Sequence, residues 1–322
     1  MTAQVNVPRA EAFEAVQFTS GGTFCDAWYF RAQNDALAGA AGRPIVVMAH
    51  GLGGTKDSGL APYAERLAAV GLDVFAFDYR GFGASGGEVR QSVSIDGQLE
   101  DYRAAVMAAA ALDGVDAGRI VLWGVSLSGG HVLAVGAGRD DVAAIVSMTP
   151  LVNGMAAGRL AFANVPVASI ARSTGLGVRS RLRTRVGRTP LMMPIVAGPG
   201  EMGALTLPGY REDYLGIAGP TWENTIDAAI GSEIGSYRAD RRAADITAPV
   251  LMQIADFDRS APPQSAANAA VKARAEVRHY PCDHFGVYHG QIWFERAVAH
   301  QIHFLIRHLT PSQPGVVDSS DS

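Results

Sequence analysis

Cysteine is nearly absent: Cys25 and Cys282 are the only two in 322 residues. Two cysteines supply neither a disulfide framework nor a zinc-ligand pattern, and they suit a reducing cytosol. Long apolar runs are missing too. A membrane-spanning helix needs roughly 20 consecutive apolar residues. The nearest stretch, Leu191–Leu207, is broken by Pro194, Gly198, Pro199, Gly200 and Gly203 and carries Glu201. Met1 to Glu14 lacks the apolar segment of a secretory leader. A cytoplasmic chain without a membrane partner is therefore expected. Excess positive charge is missing as well. The formal net charge is −4, which gives no reason to expect nucleic acid. Lysine is confined to Lys56 and Lys272, so arginine carries almost all the positive charge, a coding bias rather than chemistry.

What is present is apolar residue, 48% of the chain, enough for a large core. One big α/β domain with an insertion fits this length better than two independent domains. Glu14–Thr19 and Cys25–Ala32 read as strands of a hairpin around Ser20-Gly21-Gly22. RPIVVMA (43–49) is a continuous apolar run, as in a strand covered on both faces. Helical spacing follows over Leu60–Val70, a strand over Leu72–Asp78 and a long helix over Ser94–Leu112. Strand, turn and helix come at 120–137, and a strand at Val142–Met148. The rhythm then fails until Pro249–Ala255. A helix over Pro263–Ala273, a strand over Glu276–Tyr280 and a helix over Gly290–Leu309 complete the pattern. Alternating strands and helices predict a mostly parallel central sheet flanked by helices. The expected core is 1–150 with 240–310, and the inserted, mainly helical segment is 151–239. Residues 1–12 read as a loose arm, and 311–322 as a disordered Ser/Pro/Asp-rich tail.

The chain is organised around IVLWGVSLSGG (120–130). An apolar strand runs into one abrupt turn and a helix, with Ser126 at the turn and Gly124 two residues before it. Only a tight turn with small neighbours lifts a serine oxygen clear of a sheet. The pattern is G-x-S-x-G with Ser128 in place of the last glycine. Short strings of this kind also arise by chance in a glycine-rich chain, so partners are required. A serine hydroxyl needs a histidine to take its proton, and the histidine needs a carboxylate. In this fold the order is Ser, acid, His. The strand PVLMQIA leads into Asp256-Phe257-Asp258, and Asp258 is favoured over Asp256 because it lies deeper in the loop. Among eight histidines, His284 follows the final strand, where a general base belongs, with His289 as runner-up. His131, His279, His300, His303 and His308 read as packing or surface residues.

Two backbone N–H donors are expected to face the developing oxyanion: Leu127 at the helix N-terminus and Leu52 in His50-Gly51-Leu52-Gly53-Gly54. His50 reads as a structural hydrogen-bonder. Gly81-Phe82-Gly83-Ala84-Ser85-Gly86 matches G-x-G-x-x-G. A dinucleotide fingerprint, however, opens directly into a helix, whereas the first N-cap here is Ser94.

DYRGFGASGG (78–87), GVSLSGG (124–130), ADFDRSAPP (255–263) and HFGVYHGQIWFERA (284–297) together resemble the α/β-hydrolase superfamily. They are most similar to its dienelactone-hydrolase and S15-peptidase-like branch of serine hydrolases. The resemblance implies Ser126 as nucleophile, Asp258 as acid and His284 as base. It also implies that the insertion is a cap. Asn153–Gly200 holds no acidic residue but seven arginines: Arg159, Arg172, Arg179, Arg181, Arg183, Arg185 and Arg188. A solvated helix face explains them, and a receptor for an anionic group such as a CoA phosphate is the sharper alternative. Met192 and Met193, in an apolar run, and Trp222 are expected to line an apolar or aromatic substrate pocket.

The reading is a serine hydrolase for a small carboxylic ester or lactone, with no metal or organic cofactor and with room for a homo-oligomer. Alternatives are a thioesterase or acyltransferase on the same triad, a non-catalytic binding protein on this scaffold, and, least favoured, a nicotinamide-dependent oxidoreductase.

Overall fold

The computed structural model describes residues 12–311. The arm and the tail expected at 1–12 and 311–322 therefore lie outside the described residues, apart from Ala12 and Pro311. Strands β1 (Glu14–Ser20) and β2 (Thr23–Phe30) form the expected hairpin, with Ser20 paired to Thr23. Gly21 and Gly22 close it at φ +53° and +78°, a turn conformation that β-carbons oppose.

The chain continues through β3 (Arg43–Ala49), α1 (Ala61–Ala68), β4 (Asp73–Phe77), α2 (Ile95–Ala110), β5 (Val115–Val125), α3 (Leu127–Gly136) and β6 (Val142–Met148). The insertion follows: α4 (Gly154–Asn164), α5 (Val167–Arg185), α6 (Tyr210–Ile217), α7 (Ile230–Ser236) and a two-residue strand pair, β7 (Met192–Met193) with β8 (Ile226–Asp227). The core resumes with β9 (Val250–Ala255), α8 (Pro263–Lys272), β10 (Glu276–Tyr280) and α9 (Phe294–Leu309). The last helix starts four residues later than its spacing predicts. Gly290 sits at φ +82°, outside the helical region, and Trp293 N–H turns back to the Gly286 carbonyl.

Eight strands make one sheet in the order β1-β2-β4-β3-β5-β6-β9-β10. β1 with β2 and β2 with β4 pair antiparallel, and every pairing from β4 to β10 is parallel. β3, β5 and β6 are buried on both faces over most of their length, which is why they read as unbroken apolar runs. The Ser94 hydroxyl caps α2 by accepting Gly97 N–H. Trp123 Nε1 donates to Gln301 Oε1 at 2.9 Å, and Gln301 Nε2 donates to Gln253 Oε1 at 2.6 Å. This buried chain ties α9 to β5 and β9. Among the described residues, no helix is long and apolar enough to cross a membrane. The carboxyl ends of β3, β5, β9 and β10 deliver four loops to one edge of the sheet, where ligands of such folds collect.

Candidate active site

Ser126 occupies the turn between β5 and α3 at φ 58°, ψ −117°, a conformation that typically costs a non-glycine residue ~1–3 kcal/mol. The surroundings impose it. Ser126 N–H donates to the Met148 carbonyl at 2.9 Å, and the Ser126 carbonyl accepts Leu151 N–H at 2.9 Å. Gly124 is required beneath the turn, because a β-carbon there would lie 2.1 Å from the Ser128 carbonyl oxygen. The departure at Ser128 has a structural use. Its hydroxyl is 2.7 Å from Tyr79 Oη and donates to the His50 carbonyl at 2.5 Å. That contact links the turn to the loop after β3.

His284 Nε2 lies 3.0 Å from Ser126 Oγ, and His284 Nδ1 lies 2.6 Å from Asp258 Oδ2. Three residues separated by up to 158 positions thus form one hydrogen-bonded line. Asp258 is buried, and its second oxygen accepts the N–H groups of Ser260 and Ala261 at 2.8 and 2.7 Å. Burial opposes a positive charge on His284, but the adjacent Asp258 carboxylate, with Asp283 behind it, outweighs burial and raises the imidazole pKa above its ordinary value. Asp256 points elsewhere: it is exposed and meets His279 at 2.6 Å. His289 is also exposed and packs edge-on against Phe294. His131 is buried between Tyr237 and Gln98, and burial lowers its pKa to about 3. The glycines at 81–86 form a loop, with Gly81 N–H donating to the Gly86 carbonyl, not the start of a helix.

Neither Leu52 N–H nor Leu127 N–H finds an acceptor among the described residues. Leu127 is the first residue of α3, so its N–H points out along the positive end of the helix dipole. Gly51 lies directly against the serine, where a β-carbon would come within 2.8 Å of Ser126 Cβ. The Gly51 carbonyl accepts from His50 Nδ1 at 2.9 Å and from Gly54 N–H at 3.2 Å. A trans peptide points its N–H opposite to its C=O, so these two donors orient the Leu52 N–H. Donation fixes the His50 tautomer, and burial lowers the His50 pKa and keeps the ring neutral.

The expected pocket residues need correction. The cleft at Ser126 is lined by Leu52, Leu205, Tyr214, Ile217, Phe285 and Tyr288, besides the polar groups. Met192, Met193 and Trp222 are not among its lining residues. Met192 and Met193 are engaged in the β7–β8 pair, with Met192 exposed and Met193 packed in the core. Trp222 stands one layer back, its indole N–H donating to the Gly53 carbonyl at 3.0 Å and its ring stacked on Tyr214. None of the seven arginines lines this cleft. Six of the seven are exposed. Arg181 and Arg185 border a separate groove of about 1090 Å³, which also holds Arg80, Asp227 and Glu233.

Asp283 escaped the sequence reading. It accepts from Arg259 Nε at 2.6 Å, from Tyr210 Oη at 2.8 Å and from His284 N–H at 2.8 Å. Burial works against its charge, yet these donors hold its carboxyl below the usual range. Its position directly before the histidine was the only available signal.

A mostly parallel eight-stranded sheet with serine, carboxylate and imidazole at its strand ends defines a hydrolase of the nucleophile-elbow class. The chain matches the α/β hydrolase fold family over residues 44–291, and it belongs to that family. It is 36% identical to the quorum-quenching protein AidA of Acinetobacter baumannii over 305 residues, 94% of this chain and 96% of that one. It is 32% identical to the monoacylglycerol lipase of Mycolicibacterium smegmatis, covering 77% and 81% of the two chains. The crystal structure of the α/β hydrolase GrgF from Penicillium superposes with a TM-score of 0.75 at 24% identity, covering 94% of this chain and 99% of that one, a likeness of fold.

Proposed function

We propose that the protein is a serine hydrolase that cleaves a small carboxylic ester or lactone through an acyl-enzyme on Ser126. The observation that carries this reading is the continuous line Ser126 Oγ, His284 Nε2, His284 Nδ1, Asp258 Oδ2, at 3.0 and 2.6 Å. His284 takes the Ser126 proton as Oγ attacks the carbonyl carbon. The N–H groups of Leu52 and Leu127 receive the negative oxygen. The tetrahedral intermediate collapses, the C–O bond breaks, and the imidazolium returns its proton to the departing alkoxide. With a lactone that alcohol stays on the acyl chain. Water, deprotonated by His284, then attacks the ester on Ser126 and releases the acid.

The lining favours an uncharged acyl group. Leu52, Leu205, Ile217, Phe285 and the ring of Tyr288 bury apolar surface. The A. baumannii relative is a quorum-quenching protein. We extend that to this chain as action on a small signalling ester or lactone, silenced when its C–O bond is opened. Residues 151–239 act as a cap over the core formed by 1–150 and 240–310. The free volume at Ser126 is about 20 Å³, room for about one water, so a substrate acyl group enters only as the lining residues part.

Incubation with a fluorophosphonate, followed by peptide mass spectrometry, is expected to label Ser126. A panel of aryl esters, lactones and acyl-CoA compounds is expected to show turnover of the first two. No adduct on Ser126 and no turnover of any ester would return the protein to the class of binding modules.

A further inference from the structure

The loop that carries the Leu52 N–H is Gly51-Leu52-Gly53-Gly54, with Gly53 at φ +62°. Three glycines in four residues leave such a loop little intrinsic preference for one shape. Oxyanion donors, however, act only when already aimed at the place where charge develops. The structure shows what holds them. The Gly51 carbonyl is fixed from within the core by His50. The next two carbonyls are fixed from the insertion: Tyr214 Oη donates to Leu52 O at 2.8 Å, and Trp222 Nε1 donates to Gly53 O at 3.0 Å. The two rings stack at 5.1 Å, so the two donors pack as one aromatic pair. The same part of the insertion grips the opposite wall. Tyr210 Oη donates to Asp283, and Arg259 links Asp283 to the Pro208 carbonyl.

We infer that Tyr214 and Trp222 are positioning residues that complete the oxyanion hole from the cap. The inference rests on the hydrolytic role of Ser126 proposed above. The Gly53 carbonyl that Trp222 holds shares its peptide with the Gly54 N–H, which donates to the Gly51 carbonyl, so the 205–222 segment reaches the Leu52 N–H through Gly54 rather than directly. Closing over substrate and organising the donor are then one event.

The test uses Tyr214→Phe and Trp222→Phe in the full chain, each of which removes one N–H or O–H donor and keeps an aromatic ring. Hydrolysis of 4-nitrophenyl acetate and inhibition by phenylboronic acid, whose Ser126 adduct places an oxygen in the hole, are measured beside Ser126→Ala. Each positioning variant is expected to lose about 10- to 100-fold in kcat, below the ~10²–10³ of a deleted donor. KM stays within about twofold, because Tyr214→Phe keeps the ring that lines the cleft and Trp222 stands behind it. The boronic acid weakens by the same factor as kcat. Should Tyr214→Phe fail to fold, Trp222→Phe at its half-buried site carries the test. Wild-type kcat in the folded variants, or a loss confined to KM with boronate affinity intact, overturns the inference. If that happens while Ser126→Ala is inactive, the hydrolytic proposal stands and only the positioning role falls. If Ser126→Ala still hydrolyses the ester, both fall.

Discussion

The two halves of the insertion are built differently. α4 and α5 bury few residues: Gly154 in the first, and Ser169, Gly177 and Ser180 in the second. Their arginines face solvent or the separate groove. The half from Leu205 to Trp222 buries Leu207, Tyr210, Tyr214 and Ile217, and its polar atoms reach backbone and carboxylate groups of the loops that carry Leu52 and His284. Charge collects where solvent can hydrate it. Aromatic residues with one polar atom collect where a buried carbonyl needs a donor and a cleft needs an apolar wall. The insertion is thus not one uniform unit. Its arginines were the most conspicuous feature of the sequence, yet none of them lines the cleft at Ser126.

That contrast can be broken by mutation. Ser126→Ala is expected to fold as wild type by circular dichroism and to lose ester turnover by ~10⁴-fold or more. Asp258→Asn should approach that loss, at ~10⁴ in kcat, whereas Asp256→Asn should stay near wild type. The reverse ranking would reassign the acid. The positioning pair on the aromatic half falls between these extremes.

A pH profile sharpens the picture of the core. The base must be neutral, and the Asp258 contact raises the His284 pKa above 6.5. Activity should therefore be lost as pH falls through that raised value, and kcat/KM should show an acid limb centred above ~6.5. Stability runs the other way. The ion pair of protonated His284 with Asp258 stabilises the fold fully below the ordinary imidazole pKa, and that contribution fades as pH rises through the raised value. Thermal unfolding of wild type against His284→Gln, across the same window, checks the sign. The smallest effect belongs to the arginine half. Arg181→Ala with Arg185→Ala should leave kcat/KM for a neutral ester unchanged and move stability by no more than ~0.5 kcal/mol per site. A large loss of activity there would erase the difference between the two halves.

The core was legible because its signals are local or ordered. RPIVVMA, the Gly124–Ser126 turn and the Ser–Asp–His order each report a backbone period or a chain direction, and the structure brings the three side chains into hydrogen-bond reach. Met192, Met193 and Trp222 were misplaced because an apolar residue in an irregular segment has the same signature whether it faces a cleft, a core or a second layer. Tyr210, Tyr214, Arg259 and Asp283 went unread because nothing in their spacing relates them.

By itself, then, the amino-acid sequence determined the alternation of strands and helices, the tight turn at Ser126 and the identity of the serine, aspartate and histidine at the strand ends. Periodicity and strand-end placement are properties of a chain read in one dimension. Only the tertiary structure decided which aspartate meets His284, which side chains wall the cleft and what aims the Leu52 N–H. Those outcomes depend on contacts between segments far apart along the chain, and a contact of a few ångströms leaves no trace in the spacing of residues.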